Sequence, residues 1–346
     1  MGKKIWLLVA ALVFLAAPAF GASVADFYKG RTIRVVVGFG PGGATDTNAR
    51  LFAKVLSKHI PGNPTILIQN KPGGGSMLAA NTVYNVEPKD GTVIASFSST
   101  QILRQAWGAP GVKFDAAKYQ WLSSTFDTSA MCAVRTDAGV KSFEDLIASG
   151  KEVIVSSFGK GGLSHVPPVV FNAVFGTKLK VITGYRSGAA QRLAVKNKEV
   201  HGFCTTLQTI TGIEAGMFEG PAACCKVLIV AGSETEYHPF LKGVPAAEKL
   251  AEKLGKSKGD LAMLRAMNAP NRISLPQAFA PGVPKDRVQA LRKAFDKAYK
   301  DPQLLRLAKR MGMDLKQKSG EEVARIIQEL LQTPRPVLAR IKEIVQ

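Results

Sequence analysis

The residues best placed to do chemistry sit in three glycine-rich turns. Gly38-Phe39-Gly40-Pro41-Gly42-Gly43 fits the spacing G-x-G-x-x-G; Lys71-Pro72-Gly73-Gly74-Gly75-Ser76 is the second turn, and Gly159 to His165 the third. Glycines let successive backbone N–H groups converge at a helix N-terminus, where unpaired donors and partial positive charge suit an anion such as a carboxylate. The same spacing also occurs in dinucleotide sites, which need an acidic residue about 20 positions on to hold the ribose. Between Asp46 and Glu87 there is none, and Pro41 removes a donor from inside the turn.

Other chemistries find little support. No G-x-S-x-G elbow occurs, and His59, His165, His201 and His238 show no nucleophile or metal spacing. His165 either touches a ligand or caps the third turn; His59 and His238 are expected at the surface. Four cysteines, Cys132, Cys204, Cys224 and Cys225, lack C-x-x-C spacing, so no structural zinc is expected. A disulfide is permitted in an exported protein, and Cys132 with Cys204 is the expected pair because both end predicted strands; adjacent Cys224 and Cys225 bond to each other with difficulty. No cofactor is implied.

The turns must be positioned by strands and helices. Ile33 to Val37 is a β-branched run and Thr45 to His59 has helical spacing, with Thr45 or Asp46 as cap and Asp46 paired to Arg50 four residues on. Strands at 65–69 and 92–97 and a helix at 77–86 continue a parallel β-α-β pattern. The grammar repeats from 130 to 231, with strands at 130–134, 153–157, 180–183 and 227–231. From Pro284 onward it is helical, with Ser319 and Glu322 at capping-box spacing. In parallel sheets, ligands bind beyond the C-terminal ends of strands, and each glycine turn follows a strand. Convergence on one cleft is therefore expected.

The chain has 346 residues, 46% hydrophobic and 21% charged, which is ample for packed cores and excludes bulk disorder. Lys3 and Lys4 precede the apolar run Ile5 to Ala17, and Ala19-Phe20-Gly21 is a small-x-small cleavage site, so residues 1–22 are predicted to be a removed signal peptide. The run falls short of the ~20 residues of a membrane span. Export disfavours nucleic acid as the partner of a chain whose formal charge is +20, and the scattered Lys and Arg residues favour an anionic ligand only weakly.

Val35 to Arg50 resembles the opening of the solute-binding receptors of tripartite tricarboxylate transporters. The resemblance continues through Gln69 to Gly75, Pro88-Lys89-Asp90-Gly91-Thr92, Gly159-Lys160-Gly161 with His165, and Ala280-Pro281-Gly282-Val283-Pro284. It implies a two-lobed α/β fold of the periplasmic binding type (type II), each lobe a sheet flanked by helices with the ligand cleft between. Lobe 1 is expected over 23–125 and 272–346, with the C-terminal helices packing back on it, and lobe 2 over 126–271. The resemblance further implies a non-enzymatic periplasmic protein that closes on a small organic acid and serves the large and small permease subunits of a tripartite transporter; nothing in the sequence demands more than a monomer. Carried onto this sequence, the ligand holders are Gly42, Gly43, Ala44, Thr45 and Asp46, then Gly74, Gly75 and Ser76, with Ser98 and Ser99. From the other lobe come Gly159, Gly161 and His165, joined by Arg186 toward a second carboxylate. Asp46 either orders its loop or touches ligand. Gly162, Ser76-Met77 and Thr205-Thr206-Leu207-Gln208 depart from the family pattern in the region that selects the ligand. A sensor presenting an acid to a histidine kinase, and an exported enzyme using the cleft, are the competing classes.

Overall fold

The computed structural model describes residues 23–211, 215–232 and 241–345. The expected signal peptide and His238 lie outside these residues. Eleven strands are described: β1 (Thr32–Val37), β2 (Thr65–Asn70), β3 (Val93–Ser96), β4 (Gln120–Ser124), β5 (Ala130–Arg135), β6 (Glu152–Ser157), β7 (Lys178–Thr183), β8 (Gly202–Thr206), β9 (Cys225–Val230), β10 (Gln277–Phe279) and β11 (Lys318–Ser319). They form two sheets, one in the order β11-β4-β10-β3-β1-β2 and one in the order β7-β6-β8-β5-β9. Each sheet is the centre of a lobe, and the two-lobed α/β expectation holds.

In the first lobe β1 runs parallel to both neighbours, with Val35 opposite Ile68 on one side and Ile94 on the other. Helices cover both faces of a parallel sheet, so its inner strands read as continuous apolar runs; Ile33, Val35, Val36 and Val37 are all buried. Helices Ala44–Ala53 and Lys285–Tyr299 close one face through Phe52, which touches the rings of Phe295 and Tyr299. On the other face Phe97, Tyr119 and Trp121 pack with Val323 and Ile326 of helix Gly320–Leu331. The predicted helix 45–59 stops at Ala53 and resumes as a 3-10 turn over Ser57–His59. Here Ser57 donates its hydroxyl to the Pro64 carbonyl, 2.6 Å away. His59, expected at the surface, is half-buried and meets Asp301 at 2.7 Å; Asp301 in turn caps helix Pro302–Arg310 by accepting from the Gln303 amide.

In the second lobe β6 and β7 are parallel and β5 is antiparallel to both β8 and β9. Cys132 and Cys204 stand directly opposite in β5 and β8, their Cα atoms 4.0 Å apart, and a disulfide joins them. Such closeness belongs to the non-hydrogen-bonded pairs of an antiparallel ladder.

The chain crosses between lobes after β4 and again before β10. The two crossings pair with each other: Ser274 donates its amide to the Phe126 carbonyl and accepts from the Thr125 amide. One packing expectation is corrected. Helices from Lys285 to Leu331 do pack on the first lobe, but the last helix, Arg335–Val345, lies on helices Val166–Phe175 and Lys258–Asn268 of the second. Its stripe of Leu338, Ile341 and Val345 joins that lobe's core, and burying this stripe is what holds it there.

Candidate functional site

The first turn leads from β1 into helix Ala44–Ala53. The predicted caps, Thr45 and Asp46, are not the cap; Gly43 occupies that position and has no side chain to satisfy the first-turn amides. The Asp46 carboxylate instead turns back over the loop. It accepts from the Gly42 amide at 3.0 Å, Asn70 Nδ2 at 2.8 Å and Arg50 Nε at 2.9 Å. Burial alone raises such a carboxyl, yet these donors outweigh it and hold Asp46 below the usual carboxylate range. The negative charge is spent on ordering the turn.

Beyond the strand ends lies a cavity of about 60 Å3. Gly43, Ala44 and Thr45 wall it from the first turn, and Ser98 and Ser99 from just past the end of β3. The second lobe contributes Gly188 and Gln191 from the start of helix Gly188–Lys196, Thr206 from the end of β8, and Gln208 and Thr209 from the short helix Leu207–Thr211 that follows it. Four helix starts therefore face one space, because parallel strands deliver their following helices to the same edge. Among the described residues no ionisable side chain is in the wall. The donors are neutral. They are the first-turn amides after Gly43, which no side chain caps, and the paired hydroxyls of Thr206 and Thr209 at 3.0 Å; Gln208 adds an amide whose buried Oε1, an acceptor, has no partner among the described residues. Phe126, Asn271, Ser274 and Leu275, from the interlobe crossings, form its floor.

The second and third glycine turns stand elsewhere. They meet each other across the cleft so closely that a Cβ on Gly159 would lie 3.1 Å from the Gly75 amide nitrogen, and one on Gly75 would lie 3.4 Å from Gly162 Cα. Gly74, Gly75, Ser76 and Arg186 line a separate outer space, while Gly159, Gly161 and His165 line neither. Arg104 sits behind this contact, against Gly161. His165 is buried below it, its Nδ1 unpartnered among the described residues; burial, together with the charges of Lys160 and Arg104, pushes its pKa down to about 4. Of the residues expected to hold ligand, Gly43, Ala44, Thr45, Ser98 and Ser99 thus share the inner cavity. Gly42 and Asp46 shape the loop behind it, and the rest form the clasp and the outer space. Gln191 and Thr209 were absent from the expectation, although the strand-end rule applied to β7 and β8 points at them; Thr205, Thr206 and Gln208, from the stretch expected to select the ligand, do line the cavity.

The model of the tripartite tricarboxylate transporter family receptor matches residues 49–228. The chain belongs to that family. The receptor is 26% identical over 328 residues to a UPF0065 protein of Bordetella pertussis, covering 93% of each chain. Its fold is that of the periplasmic binding protein BugD, with a TM-score of 0.70 at 18% identity over 92% of this chain and 99% of that one. It is likewise that of MatC from Rhodopseudomonas palustris, solved with bound malate, with a TM-score of 0.67 at 19% identity over 91% and 99%. Family and fold make the receptor a two-lobed solute-binding protein of the periplasmic type.

Proposed function

We propose that this receptor captures a small organic acid in the periplasm by closing its lobes on it, and passes it unchanged to the large and small permease subunits of a tripartite transporter. The observation that carries the reading is the wall of the inner cavity. It offers helix-start amides and hydroxyls from both lobes and, among the described residues, no carboxylate, which suits an anion and disfavours a cation. Neutral donors spread over two lobes also favour closure, since each half-site is complete only when the other arrives. Malate bound to MatC, a relative in fold, is consistent with a small acid of this kind. On this reading Gly43, Ala44, Thr45, Ser98 and Ser99 hold one carboxylate, and Gln191, Thr206, Gln208 and Thr209 select the remainder. Gly42 and Asp46 keep the loop in shape. The lobes are residues 23–125 with 272–331, and 126–271, the last helix riding on the second.

A thermal-shift screen of the signal-free protein against mono-, di- and tricarboxylates, amino acids, sugars and metal ions tests it. A ligand binding only the folded form raises the melting temperature by mass action, by an amount corresponding to ~2.7 kcal/mol at a hundredfold excess over Kd. Shifts with acids support the reading; shifts confined to sugars or cations would sink it.

A further inference from the structure

Two aromatic rings divide the cleft. Phe39 stands in the first turn of lobe 1 and Phe158 follows β6 in lobe 2; their rings meet edge to face with centroids 5.0 Å apart. Both rings line the inner cavity, and both line the outer space. By the same measure the outer space is about 390 Å3 against about 60 Å3 inside. Its walls are largely glycine backbone, from Gly38, Gly73, Gly74, Gly75 and Gly184. One cation faces it: Arg186, an exposed residue whose carbonyl accepts from the Gly40 amide at 2.9 Å. No carboxylate of the described residues lies within ion-pair distance of its guanidinium.

We infer that the Phe39–Phe158 contact sets the length of the solute. The inference rests on the acid-binding reading and narrows it. A short acid fits inside the partition with its charge on the helix starts. A longer unbranched chain collides with the rings, because an edge-to-face pair spanning two closed lobes cannot part without reopening them. Removing one ring merges the two spaces, and a second carboxylate can then reach Arg186, whose planar fork suits it.

The test is calorimetric binding of the unbranched α,ω-dicarboxylic acids from three to eight carbons to wild type, Phe158→Ala, Phe158→Leu and the double variant Phe158→Ala with Arg186→Gln. Wild type should bind the shortest members best and lose tenfold or more per added methylene once the cavity is full, as apolar pockets discriminate by ~10–200-fold per methylene. Phe158→Ala should move the optimum at least two carbons longer, Phe158→Leu less far, and the double variant should lose the gain for long diacids while keeping affinity for short ones. A wild type indifferent to length, or a Phe158→Ala protein weakened equally for every acid, overturns the partition but leaves acid binding intact. Failure of all four proteins to bind any acid overturns both. Phe158→Leu, the milder change, covers the case in which the alanine variant does not fold.

Discussion

Arg104 reaches across the cleft to Lys160. Its Nη1 donates to the Lys160 carbonyl at 2.8 Å and to the Gly74 carbonyl at 3.1 Å, so one guanidinium ties the third glycine turn to the second. Burial opposes the charge and lowers the Arg104 pKa, while two carbonyls replace part of the lost hydration. Only the closed arrangement supplies both acceptors.

Arg104 is not part of the inner cavity wall, so its effect should fall on closure. Arg104→Gln is expected to raise Kd about tenfold, mainly through a faster dissociation rate, because hydrogen bonds to charged groups contribute ~1.5–3 kcal/mol. The ranking of acids should not change. Stopped-flow dissociation checks this; an altered ranking with an unaltered off-rate would contradict the role.

His165 predicts a pH dependence. Its pKa is depressed from the ordinary 6.5 to about 4, so between those values the unfolded chain binds a proton that the closed protein refuses. Stability therefore rises with pH across that window and is lost on acidification, by up to about 3 kcal/mol for a shift of this size. Denaturant midpoints at pH 7 and pH 5 should differ more for wild type than for His165→Asn; parallel losses in the two proteins would remove His165 from the account.

The disulfide between Cys132 and Cys204 closes a loop with a sequence separation of 72. A cross-link of that span restricts the unfolded chain by ~4 kcal/mol at most on the chain-entropy view, and commonly by ~2–4. Reduction, or Cys132→Ala with Cys204→Ala, should lower the melting temperature of wild type by several degrees, and added reductant should leave the double variant unmoved. Equal melting of oxidised and reduced protein would show the bond to be energetically idle.

The first lobe was legible because its signals are local. Ile33 to Val37 names a buried strand, the glycine spacing names the turn, and the strand-end rule then places Gly43, Thr45 and Ser98 at the inner cavity. The same glycine signal has a second meaning at the second and third turns, whose glycines lie outside the inner cavity. Absence of a Cβ serves an anion and serves two backbones that must touch, and Gly75 against Gly162 is the second case. Nothing in the spacing separates the two. Phe126 and Ser274 were illegible for another reason: they come from crossings far apart in sequence, and only the tertiary pairing brings them under the cavity. Helix Arg335–Val345 was assigned to the wrong lobe because an amphipathic stripe states that a face must be covered, not by what.

That last helix alters the mechanics of the receptor. Helix Gly320–Leu331 belongs to one lobe and Arg335–Val345 to the other, so Gln332, Thr333 and Pro334 are a third covalent strap beside the two hinge crossings. Three extended residues reach roughly 10 Å. A body fastened at two neighbouring points can swing freely about the line through them, whereas a third short fastening permits only those rotations that keep its anchors within that reach.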